Sequence, residues 1–191
     1  ISDNKKLGYF KLHGFEFGID KKIAVFIKMA EQQGVKGLIL DLRGNRGGYI
    51  TTLYDILKFF LPKGTQTFVL KSNAGAINYQ IASSPITDLP LVVLIDEDSR
   101  SASEVFAAVI QEQERGKIVG VQSHSSVSVG QVHELGLDCG MMVTVSQLFT
   151  AKGKKLEKVG IQPDTEVKFT KESILAAQDV QLEKAIEILL K

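Results

Sequence analysis

The chain has 191 residues, 44% of them apolar, which is enough for one sizeable core and points to a single domain spanning 1–191. Its 23 basic and 22 acidic residues leave a net charge of +1 with the signs interspersed, so neither nucleic acid nor an anionic membrane surface is implied. A single cysteine, Cys139, excludes an intrachain disulfide, and no apolar run approaches the roughly 20 residues a membrane-spanning helix needs. No signal peptide is visible, and a start at Ile1 rather than Met suggests a piece of something longer.

Residues 8–13 alternate apolar and polar side chains and are predicted to form a half-buried strand closed by Gly14. Asp20 is placed to cap a helix with Ile23, Phe26, Ile27 and Ala30 on one face and Gly34 as its stop. Residues 35–42 are largely apolar and suit a strand covered on both faces. A glycine-rich turn over 43–48 leads into a helix presenting Leu53, Ile56, Leu57 and Phe60, with Pro62 just past its end. Short strands are expected at 67–70 and 77–81, followed by a buried strand at 91–95 and a helix over 101–114 that turns Val105, Ala108 and Val109 inward. Further strands fall at 117–121, 131–134 and 141–149, and an amphipathic helix over 173–190 closes the chain with Leu175, Leu182, Ile186 and Leu189. No repeat or linker interrupts this alternation, so the fold class is α/β.

Two strand-to-helix turns carry the candidate chemistry. In the first, Gly47 and Gly48 could present backbone N–H groups to an oxyanion, or they could only make the turn tight. No phosphate-cradling pattern is present there. Arg43, Asn45 and Arg46 are read as organising this turn, in preference to binding a substrate carboxylate. In the second turn, Ser99, Ser101 and Ser103 precede Glu104, and Ser101 with Glu104 three residues on fits a capping box. A hydroxyl at the positive end of a helix is also where acyl-transfer chemistry is often placed. Local sequence leaves both readings open, because a nucleophile also needs a base and an oxyanion hole. Lys152, Lys154, Lys155 and Lys158 are read as a solvated loop.

Taken together, the motifs resemble the carboxy-terminal processing peptidases, also called tail-specific proteases. The resemblance runs through GYFKL at 8–12, GLILDLRGNRGG at 37–48, SRSASE at 99–104, FTAKG at 149–153, VGIQPD at 159–164 and DVQLEKA at 179–185. It implies a fold similar to the ClpP and crotonase class, a twisted sheet with flanking helices, and a polypeptide substrate or ligand. By the same resemblance Ser101 looks like the nucleophile, with the N–H groups of Ala102 and Gly47 as its oxyanion hole. The family implies a periplasmic or otherwise extracytoplasmic setting and calls for no cofactor and no metal. Its members usually carry a PDZ domain before the core, and no such stretch lies within this chain.

The departure from the family falls on the general base, a lysine in a segment resembling TFGKGxVQ. Here residues 123–131 read SHSSVSVGQ, which puts Ser126 at the lysine position, and no lysine occurs between Lys117 and Lys152. A serine hydroxyl holds its proton far above neutral pH and cannot replace a neutral amine. His124 is the nearest alternative base, with His133 and His13 behind it, although each ordinarily reads as a surface histidine. Cys139 reads as a small core or turn residue. The expectation is therefore a serine-type endopeptidase core with its base missing or relocated. A non-catalytic peptide-binding pseudopeptidase is the alternative, and acyl-CoA chemistry on the related fold is a weaker third.

Overall fold

The computed structural model describes residues 6–191. In chain order it contains β1 (Gly8–Lys11), α1 (Ile19–Gln32), β2 (Leu38–Asp41), α2 (Ile50–Leu57), β3 (Gln66–Ser72), β4 (Gly75–Gln80) and β5 (Leu91–Ile95). There follow α3 (Ala102–Glu112), β6 (Lys117–Gly120), β7 (Ser128–Gly136), β8 (Cys139–Thr150), β9 (Thr165–Glu166), α4 (Lys171–Leu175) and α5 (Val180–Leu189).

The expected sheet is present as an all-parallel one in the order β1-β2-β5-β6-β9. Every residue of β2 and β5 is buried, as their near-continuous apolar sequences require of strands covered on both faces. Alternate side chains divide between two cores. Leu38, Leu40, Val93 and Ile95 pack with α1, α2 and α3, while Ile39, Val92, Leu94 and Val119 meet Ala185, Leu182 and Ile186 of α5. The remaining strands form a second, antiparallel sheet in the order β4-β3-β8-β7, so one twisted sheet does not account for the whole fold.

Three boundaries differ from the sequence expectation. The closing helix is two helices, because Thr170 and Asp179 each cap one, accepting from Ser173 N–H and Leu182 N–H, and Ala177 between them has a φ of 52°. Leu175 is consequently 78% exposed rather than part of the core. The first helix begins at Gly18, in the left-handed conformation, and Asp20 lies inside its first turn, where a carboxylate suits the helix dipole. The strands expected at 131–134 and 141–149 are the longer hairpin β7–β8, and β9 went unpredicted because two residues carry no periodicity.

At the end of β2 a buried ion-pair network locks the parallel sheet to α5. Arg43 grips the fully buried Asp41 with two bonds, Nε to Oδ1 at 2.9 Å and Nη2 to Oδ2 at 2.7 Å, and reaches Asp179 at 2.8 Å and 2.9 Å. Tyr9 of β1 donates its hydroxyl to Asp41 Oδ2 at 2.7 Å. Arg43 therefore organises the turn, as its sequence context suggests. Burial pushes the Asp41 and Asp179 carboxyls up, but hydrogen bonds from Arg43 outweigh this, with Tyr9 adding to the effect at Asp41, and both sit below the usual carboxylate range. Arg43→Ala should leave Asp41 buried without its cation and destabilise the fold by about 3–5 kcal/mol, read as a fall in the denaturant midpoint. Carboxyls lowered by folding contribute stability above their unfolded pKa and lose it as pH falls through the folded value. The wild-type midpoint should therefore drop steeply below about pH 4, and a midpoint that is flat there would show that these pairs contribute nothing.

Candidate active site

Because β2 and β5 are parallel neighbours, the turns that leave their carboxyl ends lie side by side. Four bonds join them: Gly44 N–H to Asp96 Oδ1 at 2.9 Å, Ser99 Oγ to the Leu42 carbonyl at 2.9 Å, and Arg100 N–H and Ser103 Oγ to the Asn45 carbonyl at 2.9 Å and 3.0 Å. Ser99 and Ser103 are fully buried and spend their hydroxyls on this junction. Ser101 stays half-buried, and its hydroxyl makes no hydrogen bond among the described residues.

The backbone of Ser101 answers the choice between cap and elbow in part. Its φ of 53° and ψ of −116° lie where a residue with a Cβ is strained, by about 1–3 kcal/mol, whereas a helix cap ordinarily takes relaxed extended geometry. Both halves of the capping box are in place, Ser101 N–H donating to Glu104 Oε2 at 3.0 Å and Ser101 Oγ facing the Glu104 N–H, the second contact being too loose to count as a hydrogen bond. The same Ser101 N–H also reaches the Ser126 carbonyl at 3.0 Å.

The glycine turn comes directly against this elbow. A Cβ on Gly47, at φ 96°, would stand 2.7 Å from Ser101 Cβ and 3.0 Å from the Ala102 nitrogen. The Gly47 N–H, expected in the oxyanion hole, donates to Asn45 Oδ1 at 2.8 Å. Phe15 pairs in parallel with Gly48, donating to the Gly47 carbonyl and accepting from Tyr49 N–H, both at 2.9 Å. That pairing turns the N–H of Gly48 to the opposite side, where it has no acceptor among the described residues, and the N–H of Ala102 has none either. Gly48 must be glycine, since a Cβ would meet the Phe15 carbonyl oxygen at 2.6 Å. That capture was readable in principle, because an Asn two residues ahead commonly takes such an N–H in an Asx-turn.

Glu104, read from sequence only as a cap partner, is the larger omission. It is completely buried, with no ion-pair partner among the described residues. Oε1 accepts from Ser123 Oγ at 2.5 Å and Ser125 N–H at 2.8 Å; Oε2 accepts from the N–H groups of Ser101 and Ser126, both at 3.0 Å. Four donors satisfy a buried carboxylate that would otherwise be costly. They also hold Ser126, the expected lysine position, beside Ser101. On the far side of this segment, Lys158 N–H donates to the Ser125 carbonyl and Ile161 N–H to Ser123 Oγ, both at 2.8 Å.

The other candidates do not join the cluster through hydrogen bonds. His124 is exposed; its backbone N–H donates to the Ser99 carbonyl at 3.1 Å, and its imidazole is unbonded among the described residues. His133 lies opposite Met141 in the β7–β8 hairpin, and His13 is exposed after β1. Cys139 is exposed where β8 begins, a turn position rather than a core one. An open hollow of about 590 Å³ lies over the parallel strand ends beside Arg43, Asp96 and Phe169, and another of about 790 Å³ between Lys71–Ala74 and Thr144–Gln147; neither includes Ser101. No helix among the described residues is long and apolar enough to cross a membrane.

Residues 6–167 match the model of peptidase family S41. The carboxyl-terminal-processing protease of Synechocystis is 31% identical over 188 residues, covering 97% of this chain and 44% of that protein. The carboxy-terminal processing protease CtpB of Bacillus subtilis is 26% identical, covering 95% and 38%. Among solved structures, a photosystem II D1 C-terminal processing protease superposes with a TM-score of 0.77 at 29% identity, covering 85% of this chain and 42% of that one. An S41 protease structure from Bacteroides fragilis reaches 0.83 at 17% identity, with 98% and 55% covered, a likeness of fold alone. The chain thus spans less than half the length of the curated relatives it matches, and it belongs to peptidase family S41.

Proposed function

We propose that this chain is the core of a serine-type carboxy-terminal processing endopeptidase, acting outside the cytoplasm on extended polypeptides, with a general base other than the family lysine. The observation that carries the reading is Ser101: a strained residue with an unbonded hydroxyl, next to the Ala102 N–H and against the glycine turn that holds the Gly48 N–H, neither of which has an acceptor among the described residues. In this mechanism Ser101 Oγ attacks the scissile carbonyl carbon, and Ala102 and Gly48 N–H receive the charge that develops on its oxygen. Collapse breaks the C–N bond, releases the amine with the proton taken from Ser101, and leaves an acyl-enzyme that water hydrolyses. His124, nearest in sequence to Ser126 among the histidines, is the candidate to take that proton in place of the lysine.

A second reading is favoured by the Glu104 web, which leaves no ionisable side chain hydrogen-bonded to the Ser101 hydroxyl. On that reading the site holds peptides without cleaving them.

A fluorophosphonate probe should label the wild-type chain slowly and Ser101→Ala not at all; absence of labelling alongside measurable peptide binding would sink the peptidase reading. Loss of the base from a serine-hydrolase site costs on the order of 10⁴ to 10⁶ in kcat. Ser126→Lys should therefore raise peptide cleavage by at least about tenfold if only the base has been lost. A folded Ser126→Lys variant with unchanged turnover would show that position 126 is not where a base acts. His124→Ala should lower labelling of the wild type while leaving Ser126→Lys active.

A further inference from the structure

The chain has four arginines, and three of them have partners. Arg43 lies in the network with Asp41 and Asp179, Arg115 donates to the carbonyls of Phe60, Thr87 and Leu89 at 2.8 Å, 3.1 Å and 3.0 Å, and Arg100 Nη2 meets Asp98 Oδ1 at 3.3 Å. Arg46 is exposed, and its guanidinium has no hydrogen bond or ion pair among the described residues, so Arg43 and Asn45 organise the glycine turn without it. Residue 46 nevertheless stands beside residue 100. The carbonyl that accepts from Arg100 N–H at 2.9 Å belongs to the peptide group joining Asn45 to Arg46, and a Cβ on Gly47 would stand 3.0 Å from the Arg100 carbonyl. The two arginines thus immediately precede Gly47 and Ser101, one on each of the two turns that meet at the elbow. Asp98 holds Arg100 only loosely, since the contact is long, the Asp98 side chain is 53% exposed, and Arg100 Nε is buried with no acceptor among the described residues.

We propose that Arg46 and Arg100 form a subsite for a carboxylate of the bound polypeptide, either its C-terminal carboxylate or an Asp or Glu side chain close to the bond held at Ser101. The inference rests on the reading of Ser101 as the centre of a peptide site, and it does not require turnover there. A guanidinium presents its N–H donors in a planar fork that a carboxylate accepts bidentately, which gives geometric selection as well as charge. In an extended peptide each residue advances roughly 3.3 Å, so a carboxylate one or two residues from the carbonyl over Ser101 is carried to the residues that flank Ser101 in space. Such a ligand replaces the half-exposed Asp98 and supplies acceptors that Arg46 and Arg100 lack. With a net charge of only +1 the chain exerts no general pull on anions, so any preference for a carboxylate is set locally by these two side chains.

Fluorescence anisotropy on the wild-type chain with labelled peptides of one apolar sequence reads this directly: one ends in a free carboxylate, one in an amide, and one in an amide with a single internal Glu. At least one of the two carboxylate peptides should bind about tenfold tighter than the neutral amide, and which of them does so identifies the source of the carboxylate. Arg46→Gln and Arg100→Gln should each reduce that preference by at least about threefold while leaving the circular dichroism spectrum unchanged. Lys63→Gln, which removes an exposed cation after α2, should alter none of the affinities. Equal binding of neutral and acidic peptides, a preference that survives either glutamine variant, or no binding of any peptide would each overturn the proposal. Equal binding accompanied by protection of Ser101 from the fluorophosphonate probe would remove the subsite and leave the peptidase reading standing. A carboxylate preference that depends on Arg46 and Arg100 in a chain whose Ser101 is never labelled would keep the subsite and remove the peptidase reading.

Discussion

The candidate site depends on one buried carboxylate. Glu104 sits in the first turn of α3, where the helix dipole favours negative charge, and has no ion-pair partner among the described residues to offset its burial. Ion pairing is replaced by four hydrogen bonds, three of them from backbone N–H groups. Those donors come from Ser101 on one side and from Ser123, Ser125 and Ser126 on the other. The same interaction that neutralises the cost of burial therefore joins the elbow to the segment where the family places its base. Removing any one donor would leave the carboxylate under-satisfied in a dry interior, so the geometry of Ser101 and that of Ser126 are held together.

Below this junction, the sheet supplies the fixed frame. The turns after β2 and β5 are neighbours only because their strands are, and Arg43, Asp41, Tyr9 and Asp179 hold that end of the sheet against α5. Asn45 then sets the glycine turn at the right height, giving its amide to the Leu12 carbonyl at 2.7 Å and taking the Gly47 N–H. The result is a division of labour among similar groups. Ser99 and Ser103 build the junction and Ser101 is left with a free hydroxyl; Gly47 makes room for Ser101 and Gly48 is left with a free N–H.

The bonds that hold Ser126 are made by its backbone, which donates to Glu104 and accepts from Ser101, so they do not depend on which side chain stands there. A strand-to-helix turn and its free N–H groups are backbone features, whereas a proton acceptor is a side-chain one, so the two can vary separately. This is why family membership and turnover are separate questions for this chain.

Much of the fold was legible in the sequence, because burial on two faces demands the apolar runs of β2 and β5, and a 3.6-residue period marks α1, α2 and α3. Ser101 and Ser126, singled out from the sequence, lie together, the Ser101 N–H donating to the Ser126 carbonyl. The sequence did not separate Gly47 from Gly48, since both suit positive φ and only the Asn45 bond and the Phe15 pairing distinguish their N–H groups. Nor did it reveal the second role of Glu104, whose partners at 123–126 are about twenty residues away and meet it only once β5 and β6 have paired. The break between α4 and α5 followed the same rule: Asp179 reads as one polar residue on an amphipathic helix until Arg43, 136 positions away, shows why the chain stops there and starts again. Local periodicity and motif determined the elements and the nucleophile turn; long-range hydrogen bonding decided which backbone groups were left free to act.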